Sequence, residues 1–192
     1  MNIRQYIAGS VLAIASAGSW SASVVYEGLL VPSVPATGQV GGFGWFLDDG
    51  SLVDYWRFAG VAGQTVTFTV DRLSGNLDPA LSFYAGITSA DTAQFSAGGN
   101  WGGLTFLGSL DDEKAAFLSP GPAGDPSGSF VLAGSGNYTV VVGGGNSTDA
   151  GSYPYRLTMT TAAAPIPEPS VWAMFGVGLA GLGFLRRRRQ GR

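Results

Sequence analysis

Acidic side chains in the turns between apolar segments are the residues best suited to chemistry. They form four groups along the chain: Asp48, Asp49 and Asp54; Asn76 and Asp78; Asp111, Asp112 and Glu113; and Asn146 and Asp149. Calcium takes about six to eight oxygen ligands, which carboxylates on turns supply. Asp78, Asp111 and Asp112 are the predicted calcium ligands. The alternative is that acids occupy turns for local backbone hydrogen bonding, since segment 48–54 lacks the D-x-D-x-D-G spacing of a calcium loop.

Histidine and cysteine are both absent from the sequence. Thiol catalysis, the usual zinc sites and Ser-His-Asp triads are therefore excluded. A pair of carboxylates is enough for a glycosidase, but almost any acidic β-protein offers such a pair, so the signal is nonspecific. Lys114 is the only lysine and follows Glu113, which suits a surface residue better than a Ser-Lys dyad. We predict that the protein is not an enzyme.

Charge is distributed unevenly around a formal net charge of −3. Five of the ten basic residues lie within residues 186–192, whereas residues 24–161 contain twelve acids. The cations of that central region are Arg57, Arg72, Lys114 and Arg156. An acidic domain repels nucleic-acid phosphates, so no nucleic-acid partner is expected.

Aromatic residues offer a second candidate binding surface. Trp45, Trp56 and Trp101, with Phe43 and Phe46, have the composition of a sugar-stacking platform. The alternative, which we favour for most of them, is that aromatic rings fill the core of a β-protein. Trp101 lies in the glycine-rich segment 98–103. We expect it to be exposed there, as a candidate ligand contact.

The central region alternates with the two-residue period of β-strands. Segments 64–71, 137–143 and 153–160 are the clearest cases; in the first, Val66, Phe68 and Val70 face the core and threonines face water. Further strands are predicted at residues 24–30, 40–47, 53–59, 80–85, 104–107, 115–118 and 129–133. Clusters of Gly, Pro, Asp and Asn separate them and leave little room for crossover helices, which predicts an antiparallel β-sandwich.

Several of these strands resemble the bacterial pre-peptidase C-terminal (PPC) domain. The matching segments are 54–58, 62–70, 77–84, 134–142 and 151–157, within a resemblance that covers most of residues 45–160. It implies an all-β, jelly-roll-like sandwich of a kind found beside secreted enzymes or in stand-alone surface proteins. No catalytic domain neighbours it in this sequence, which removes the enzyme context.

The first 23 residues have the features of a secretory signal peptide, predicted to form a helix. Arg4 supplies the positive charge, residues 6–15 supply an apolar core too short to span a bilayer, and small residues follow. Ala15-Ser16-Ala17 fits the A-x-A cleavage rule, and Ser21-Ala22-Ser23 is a second cleavage site. The alternative is a buried N-terminal helix. Export with cleavage by signal peptidase is the better interpretation.

The C-terminal region has three parts in order. A Pro-rich linker, residues 162–169, contains the tripeptide Pro167-Glu168-Pro169; an uncharged apolar run, residues 171–185, follows; and it leads into Arg186, Arg187, Arg188 and Arg189. A helix over residues 170–185 would extend about 24 Å, slightly short of the roughly 30 Å hydrocarbon core. Snorkelling arginines extend its reach, and the positive-inside rule keeps them cytoplasmic. A transmembrane helix is therefore predicted within residues 170–192.

These three parts resemble the PEP-CTERM sorting signal of Gram-negative bacteria. The resemblance implies recognition by an exosortase, cleavage near Pro167-Glu168-Pro169, and release to the cell surface or an exopolysaccharide matrix. The arginines would hold the uncut precursor in the inner membrane. The alternative is a permanent single-pass anchor.

The domain order predicted from sequence is a signal peptide (1–23), a β-sandwich (24–161), a Pro-rich linker (162–169) and a membrane helix with an arginine tail (170–192). The predicted function is that of an exported, exosortase-processed surface or matrix protein. Its sandwich is expected to be non-catalytic, without a required cofactor, and structural or adhesive in an exopolysaccharide context. The alternative is a carbohydrate-binding module that uses loop aromatics, with or without calcium.

Overall fold

The computed structural model describes residues 22–41, 49–118, 123–144 and 151–163. Within these ranges the chain forms nine strands: β1 Tyr26–Leu29, β2 Ala36–Gly41, β3 Asp54–Gly60, β4 Thr65–Arg72, β5 Pro79–Ala85, β6 Thr105–Leu110, β7 Ser127–Val131, β8 Gly136–Gly144 and β9 Ser152–Ala162. The described residues contain one short 3₁₀ turn, Thr92–Gln94, and no α-helix. Among them there is no helix long and apolar enough to cross a membrane. The helices predicted in residues 1–21 and 170–192 lie outside the described ranges.

The strands form two sheets. One sheet has the order β1-β3-β8-β5-β6 and the other β2-β9-β4-β7. All neighbouring strands are antiparallel except β1, which pairs with β3 in parallel. The predicted all-β sandwich is confirmed, and its expected fully antiparallel pairing is corrected at β1.

The core lies between the sheets and follows from the predicted alternation. Val66, Phe68 and Val70 of β4 are fully buried, and Phe68 packs against Phe83 of β5 with ring centroids 5.1 Å apart. Each fully buried side chain of this size contributes about 1.5–3 kcal/mol. Alternation therefore places one face of each central strand in this shared core.

A second apolar cluster covers the outer face of the five-stranded sheet. Tyr55, Tyr84 and Val141 point outward from β3, β5 and β8, and the segment between β5 and β6 packs Phe95 and Trp101 over them. The sheet is thus buried on both faces in this region. This explains why Val140, Val141 and Val142 of β8 are all fully buried although neighbouring strand residues point to opposite faces.

Two of the predicted strands differ most from the structure, while the others are shifted at their ends by up to three residues. β2 begins at Ala36, four residues before its predicted start, and its described part ends at Gly41. Residues 115–118 are not a strand, contrary to prediction. Only an isolated bridge between Lys114 and Asp125 forms there, and the Asp125 carboxylate accepts a hydrogen bond from the Phe117 N–H (2.8 Å). That backbone donor bonds to a buried side chain instead of a neighbouring strand.

Candidate functional site

Three carboxylates meet where β5 begins and β6 ends. Asp78 immediately precedes β5, and Asp111 and Asp112 immediately follow β6. Since Leu81 of β5 pairs with Leu110 of β6, the antiparallel register places these residues side by side. One carboxylate oxygen from each of the three aspartates lies within 4.8 Å of the other two. We call Asp78, Asp111 and Asp112 the acidic cluster; these are the residues that the sequence singled out.

The loop that carries the acidic cluster is tied to the segment before β7. Asp112 Oδ1 accepts a hydrogen bond from the Gly124 N–H (2.8 Å), and Glu113 accepts one from the Ser127 N–H (3.3 Å). A Cβ at Gly124 would lie 2.5 Å from the Lys114 carbonyl oxygen, so only glycine permits this approach. These contacts fix the backbone of residues 111–114.

A buried ion pair lies beneath the acidic cluster. The side chains of Arg72 and Asp125 are both fully buried, with Arg72 Nε 2.5 Å from Asp125 Oδ1. Arg72 also donates to the Gly124 carbonyl. Its Nη2 lies 3.8 Å from Asp78 Oδ1, and the Asp78 side chain is 20% exposed. Among the described residues, no donor makes a hydrogen bond with that Asp78 oxygen. Arg72 therefore pairs with Asp125 and only partly compensates Asp78.

The electrostatics of the acidic cluster follow from this arrangement. Burial, and then the charges of Asp111 and Asp112, raise the pKa of Asp78 to about 6, although Arg72 acts in the opposite direction. Burial, and then the charges of Asp112 and Glu113, also raise the pKa of Asp111. The carboxylates repel one another, and a cation placed between them would relieve that repulsion.

A separate ion-pair network lies on the outer face of the four-stranded sheet. Asp71 accepts hydrogen bonds from Arg156 Nε (3.0 Å) and Nη2 (2.7 Å) and from Lys114. Burial alone would raise the pKa of Asp71, but the hydrogen bonds and charges of Lys114 and Arg156 outweigh burial and lower it. The Lys114 ammonium is thus paired with a carboxylate, in line with the surface role expected from the sequence.

The remaining acidic groups do not join the acidic cluster. Asp49 accepts hydrogen bonds from Ser51 in a local turn. Asp54 accepts from the Tyr155 hydroxyl (2.7 Å), and that hydroxyl accepts from the indole of Trp56 (2.7 Å). Burial is the main reason that the pKa of Asp54 is raised. Asp48, Asn146 and Asp149 lie outside the described ranges.

Trp101 was expected to be exposed, and that expectation is wrong. It is 6% exposed and packs edge-on against Tyr84 and Phe95 in the second apolar cluster. Gly102 (φ +52°) and Gly103 (φ +84°) form a tight turn closed by a hydrogen bond from the Leu104 N–H to the Trp101 carbonyl (2.7 Å). The glycines fold the indole inward, so Trp101 is not a surface ligand contact. Trp56 is buried as expected, and Phe43, Trp45 and Phe46 lie outside the described ranges.

The buried partners Arg72 and Asp125 were not recognised from the sequence. They lie 53 residues apart, and Asp125 is in a Gly- and Pro-rich stretch typical of a solvated loop. The one available signal was an arginine directly after the alternating segment of β4, at a position that faces the core. A cation there requires a buried acid, but nothing in the spacing identifies which one.

Comparison with known protein families identifies the C-terminal motif. Residues 165–189 match the PEP-CTERM protein-sorting motif, which confirms the resemblance read from Pro167, Glu168, Pro169 and the arginine run. The match begins three residues after the end of β9. No curated protein matches this chain in sequence.

Comparison with solved structures supports the fold. CorA of Methylomicrobium album BG8, a surface-associated copper-binding protein important in copper acquisition, is 14% identical over 71% of this chain and 98% of its own, with a TM-score of 0.54. The pre-peptidase C-terminal domain of a Bacillus anthracis collagenase is also similar (12% identity, 71% and 98% coverage, TM-score 0.41). MopE, a secreted protein of Methylococcus capsulatus, is 12% identical over 70% of this chain and 87% of its own, with a TM-score of 0.49. At these identities the likeness concerns the fold alone.

Proposed function

We propose that this chain is the precursor of an exported surface or extracellular-matrix protein that an exosortase processes. The observation that carries the proposal is the match of residues 165–189 to the PEP-CTERM protein-sorting motif. All nine described strands lie before residue 163. Cleavage near Glu168 would therefore release the sandwich with every one of these strands intact. Signal peptidase and an exosortase are the proposed processing partners.

The sandwich itself is proposed to be a non-catalytic structural or adhesive module in an exopolysaccharide context. Among the described residues, carboxyl groups with a shifted pKa occur at three places. These are the ion-pair network of Asp71, the hydrogen bond of Asp54 with Tyr155, and the acidic cluster. None of these joins a nucleophile to a base in the way that acyl transfer requires. A role in surface attachment or matrix structure fits a rigid domain that is delivered outside the cell.

The processing step is testable in the native host by fractionation. Glu168→Ala, or deletion of residues 167–169, should leave uncut precursor in the inner-membrane fraction, whereas the wild-type protein should appear outside that membrane. Asp91→Asn is the matched control, because it lies in the sandwich and should leave processing unchanged. Normal release of the Glu168→Ala and deletion variants would contradict the proposed role of the tripeptide.

Calcium binding at the acidic cluster is a second candidate function, either alone or in a calcium-dependent carbohydrate-binding module. It is favoured by three carboxylates within 4.8 Å of one another and by the Asp78 oxygen that lacks a hydrogen-bond donor among the described residues. Copper, which CorA binds, suits imidazole and sulfur ligands, whereas carboxylates suit calcium, magnesium and manganese. Since this sequence has no histidine or cysteine and the acidic cluster offers only carboxylates, its donors favour calcium over copper.

Thermal unfolding tests the calcium candidate. Millimolar calcium added to chelator-treated protein should raise the melting temperature by about 4 °C, because a ligand that binds only the native state stabilises it. Asp78→Ala should abolish the shift and Asp91→Asn should retain it. An equal shift in the Asp78→Ala protein, or none in the wild type, would contradict a calcium site there.

A further inference from the structure

The chain leaves the sandwich at a well-defined end. β9 ends at Ala162, which pairs with Thr65 at the start of β4, and Thr65 pairs with Val131 at the end of β7. In the other sheet, Gly60 at the end of β3 pairs with Gly136 at the start of β8. The turn between β3 and β4 joins these two sheet ends. We call this the exit end of the sandwich.

Four connections form the surface of the exit end. In turn 30–35, the Ser33 N–H donates a hydrogen bond to the Met159 carbonyl (2.7 Å). In turn 61–64, the Gly63 N–H donates one to the Leu132 carbonyl (2.8 Å). The start of segment 86–88 is fixed by a bond from the Gly86 N–H (2.9 Å) to Asn137. The loop at 132–135 accepts a bond from the Ala62 N–H (3.0 Å). These contacts join turn 61–64 to loop 132–135 and fix the other two connections to β9 and β8 at the same end.

No charged side chain occurs in these connections. They and the adjoining strand end expose Val31 (47%), Val34 (55%), Val61 (63%), Ile87 (47%) and Val131 (70%). Scattered single apolar residues need no explanation, but a group on one uncharged end points to a binding surface. Along the strands from this end, the nearest charged side chains are Glu27, two residues before the end of β1, and Arg57, three residues before the end of β3.

An uncharged cavity opens beside the same surface, between the edge strands β6 and β7. Its volume is about 370 Å³, and Leu107, Phe130, Val131 and Tyr138 are among its lining residues, none of which is charged. β6 has a bulge here, because Phe83 pairs with Gly108 and Tyr84 with Phe106, so that Leu107 has no partner in β5. Val131 lines the cavity and also lies at the exit end, so the cavity adjoins this end.

The position of the sorting motif indicates what lies against this surface. The motif begins at Pro165, three residues beyond Ala162. The transmembrane helix predicted within residues 170–192 begins eight residues beyond Ala162, and eight extended residues span at most about 29 Å. If that helix anchors the precursor in a membrane, the linker keeps the exit end, rather than the opposite end, on the side of the sandwich that faces this membrane. Asp78, Asp111 and Asp112 lie at the opposite end, where they stay in water when the exit end faces the membrane.

We propose that, in the uncut precursor, the exit end docks on the outer surface of the inner membrane, with its valines and Ile87 in the apolar part of the lipid interface. The inference rests on the proposed sorting function and adds an orientation to it. Docking would restrict the short linker and present Glu168 at the membrane surface. The partner is lipid, because an uncharged apolar surface next to a membrane anchor loses water contact by entering the interface.

The sequence has no cysteine, so a single introduced cysteine can report on each end. Three full-chain variants, Val61→Cys, Val131→Cys and Val25→Cys, would each be labelled with an environment-sensitive fluorophore. Each would then be reconstituted into vesicles rich in phosphatidylethanolamine with some phosphatidylglycerol. Val25 is the matched control: it is 73% exposed and precedes Tyr26, which pairs with Tyr55 at the opposite end of β3. Quenching by lipids that carry a nitroxide is expected at Val61 and Val131 and absent at Val25.

Flotation of the vesicles separates the two proposals. Protein that floats but is quenched equally at all three sites, or at none, would overturn docking and leave the sorting proposal standing. Protein that does not float would overturn the membrane anchoring on which both depend. A second variant, Val61→Glu with Val131→Glu, should float normally and dock at least about tenfold more weakly. Val25→Glu should leave docking unchanged, and unchanged docking in the double variant would also overturn the proposal.

Discussion

The two ends of the sandwich are built from connections between the same strands, yet their chemistry is opposite. At the end where β5 begins, side chains hold the loops through the Arg72–Asp125 pair and through Asp112 and Glu113. At the exit end, mainly backbone hydrogen bonds hold the turns, and apolar side chains are exposed. The two sheets therefore keep the charged loops and the C-terminal tether at opposite ends of the domain. Charge and any cation binding lie at one end, and the tether to the sorting motif lies at the other.

The largest effect is expected from breaking the buried ion pair at the acidic end. Asp125→Ala leaves the Arg72 guanidinium buried without its main partner, which should lower the free energy of unfolding by about 3–5 kcal/mol. Asp71→Ala is the matched control. The Asp71 side chain is 11% exposed, but its partners Lys114 and Arg156 are 27% and 35% exposed and regain water when the carboxylate is removed, so this change should cost less, about 1–2 kcal/mol. Urea unfolding measures both, and equal losses would show that burial of Arg72 is not what matters.

An intermediate effect is expected from pH. The pKa of Asp78 rises from 3.8 to about 6 on folding, so the folded state keeps a proton that the unfolded state has lost in this range. The stability that this proton contributes is complete below about pH 4 and is lost as the pH rises through about 6, with a total of the order of 3 kcal/mol.

Asp78→Asn isolates this contribution because the amide stays neutral. Unfolding measured from pH 4 to pH 7 should show a flatter pH dependence for this variant than for the wild type. Asp91→Asn should follow the wild type. If Asp78→Asn follows it as well, the repulsion within the acidic cluster is not linked to folding.

The smallest effect on stability is expected at the exit end. Val131→Glu changes a side chain that is 70% exposed, so the free energy of unfolding should change by no more than about 0.5 kcal/mol. Urea unfolding of the protein in the absence of lipid is the measurement. A loss of several kcal/mol would mean that Val131 serves the core rather than a docking surface.

Much of the fold was predictable because alternation reports which face of a strand is buried. Segments 64–71, 137–143 and 153–160 became β4, β8 and β9. Alternation misleads where neither face of a strand is exposed to solvent. The long connection after β5 covers the outer face of the five-stranded sheet, so Trp101 is buried although it lies among glycines. Residues 115–118 are apolar enough for a strand, but the Phe117 N–H donates its hydrogen bond to the Asp125 carboxylate instead of to a neighbouring strand.

The candidate site was predictable only in part. Asp78, Asp111 and Asp112 were selected as acids in turns, and the pairing of β5 with β6 brings them together. The pairing of Arg72 with Asp125 was not predicted, because a buried ion pair depends on contacts between segments that are distant in the sequence. No local pattern indicates such contacts. The grouping of uncharged turns at the exit end also depends on strand pairing. In the sequence those turns are scattered between residues 30 and 135.

Intact mass spectrometry of the protein recovered outside the inner membrane shows directly whether the chain is cut at the sorting motif. We expect a mature species that lacks both the signal peptide and Arg186–Arg189, with its C-terminus near Pro167–Pro169 and every described strand retained. The same strain without its exosortase should yield only the longer form, held in the membrane. A released species that still carries Arg186–Arg189 would show that the motif is not a site of processing.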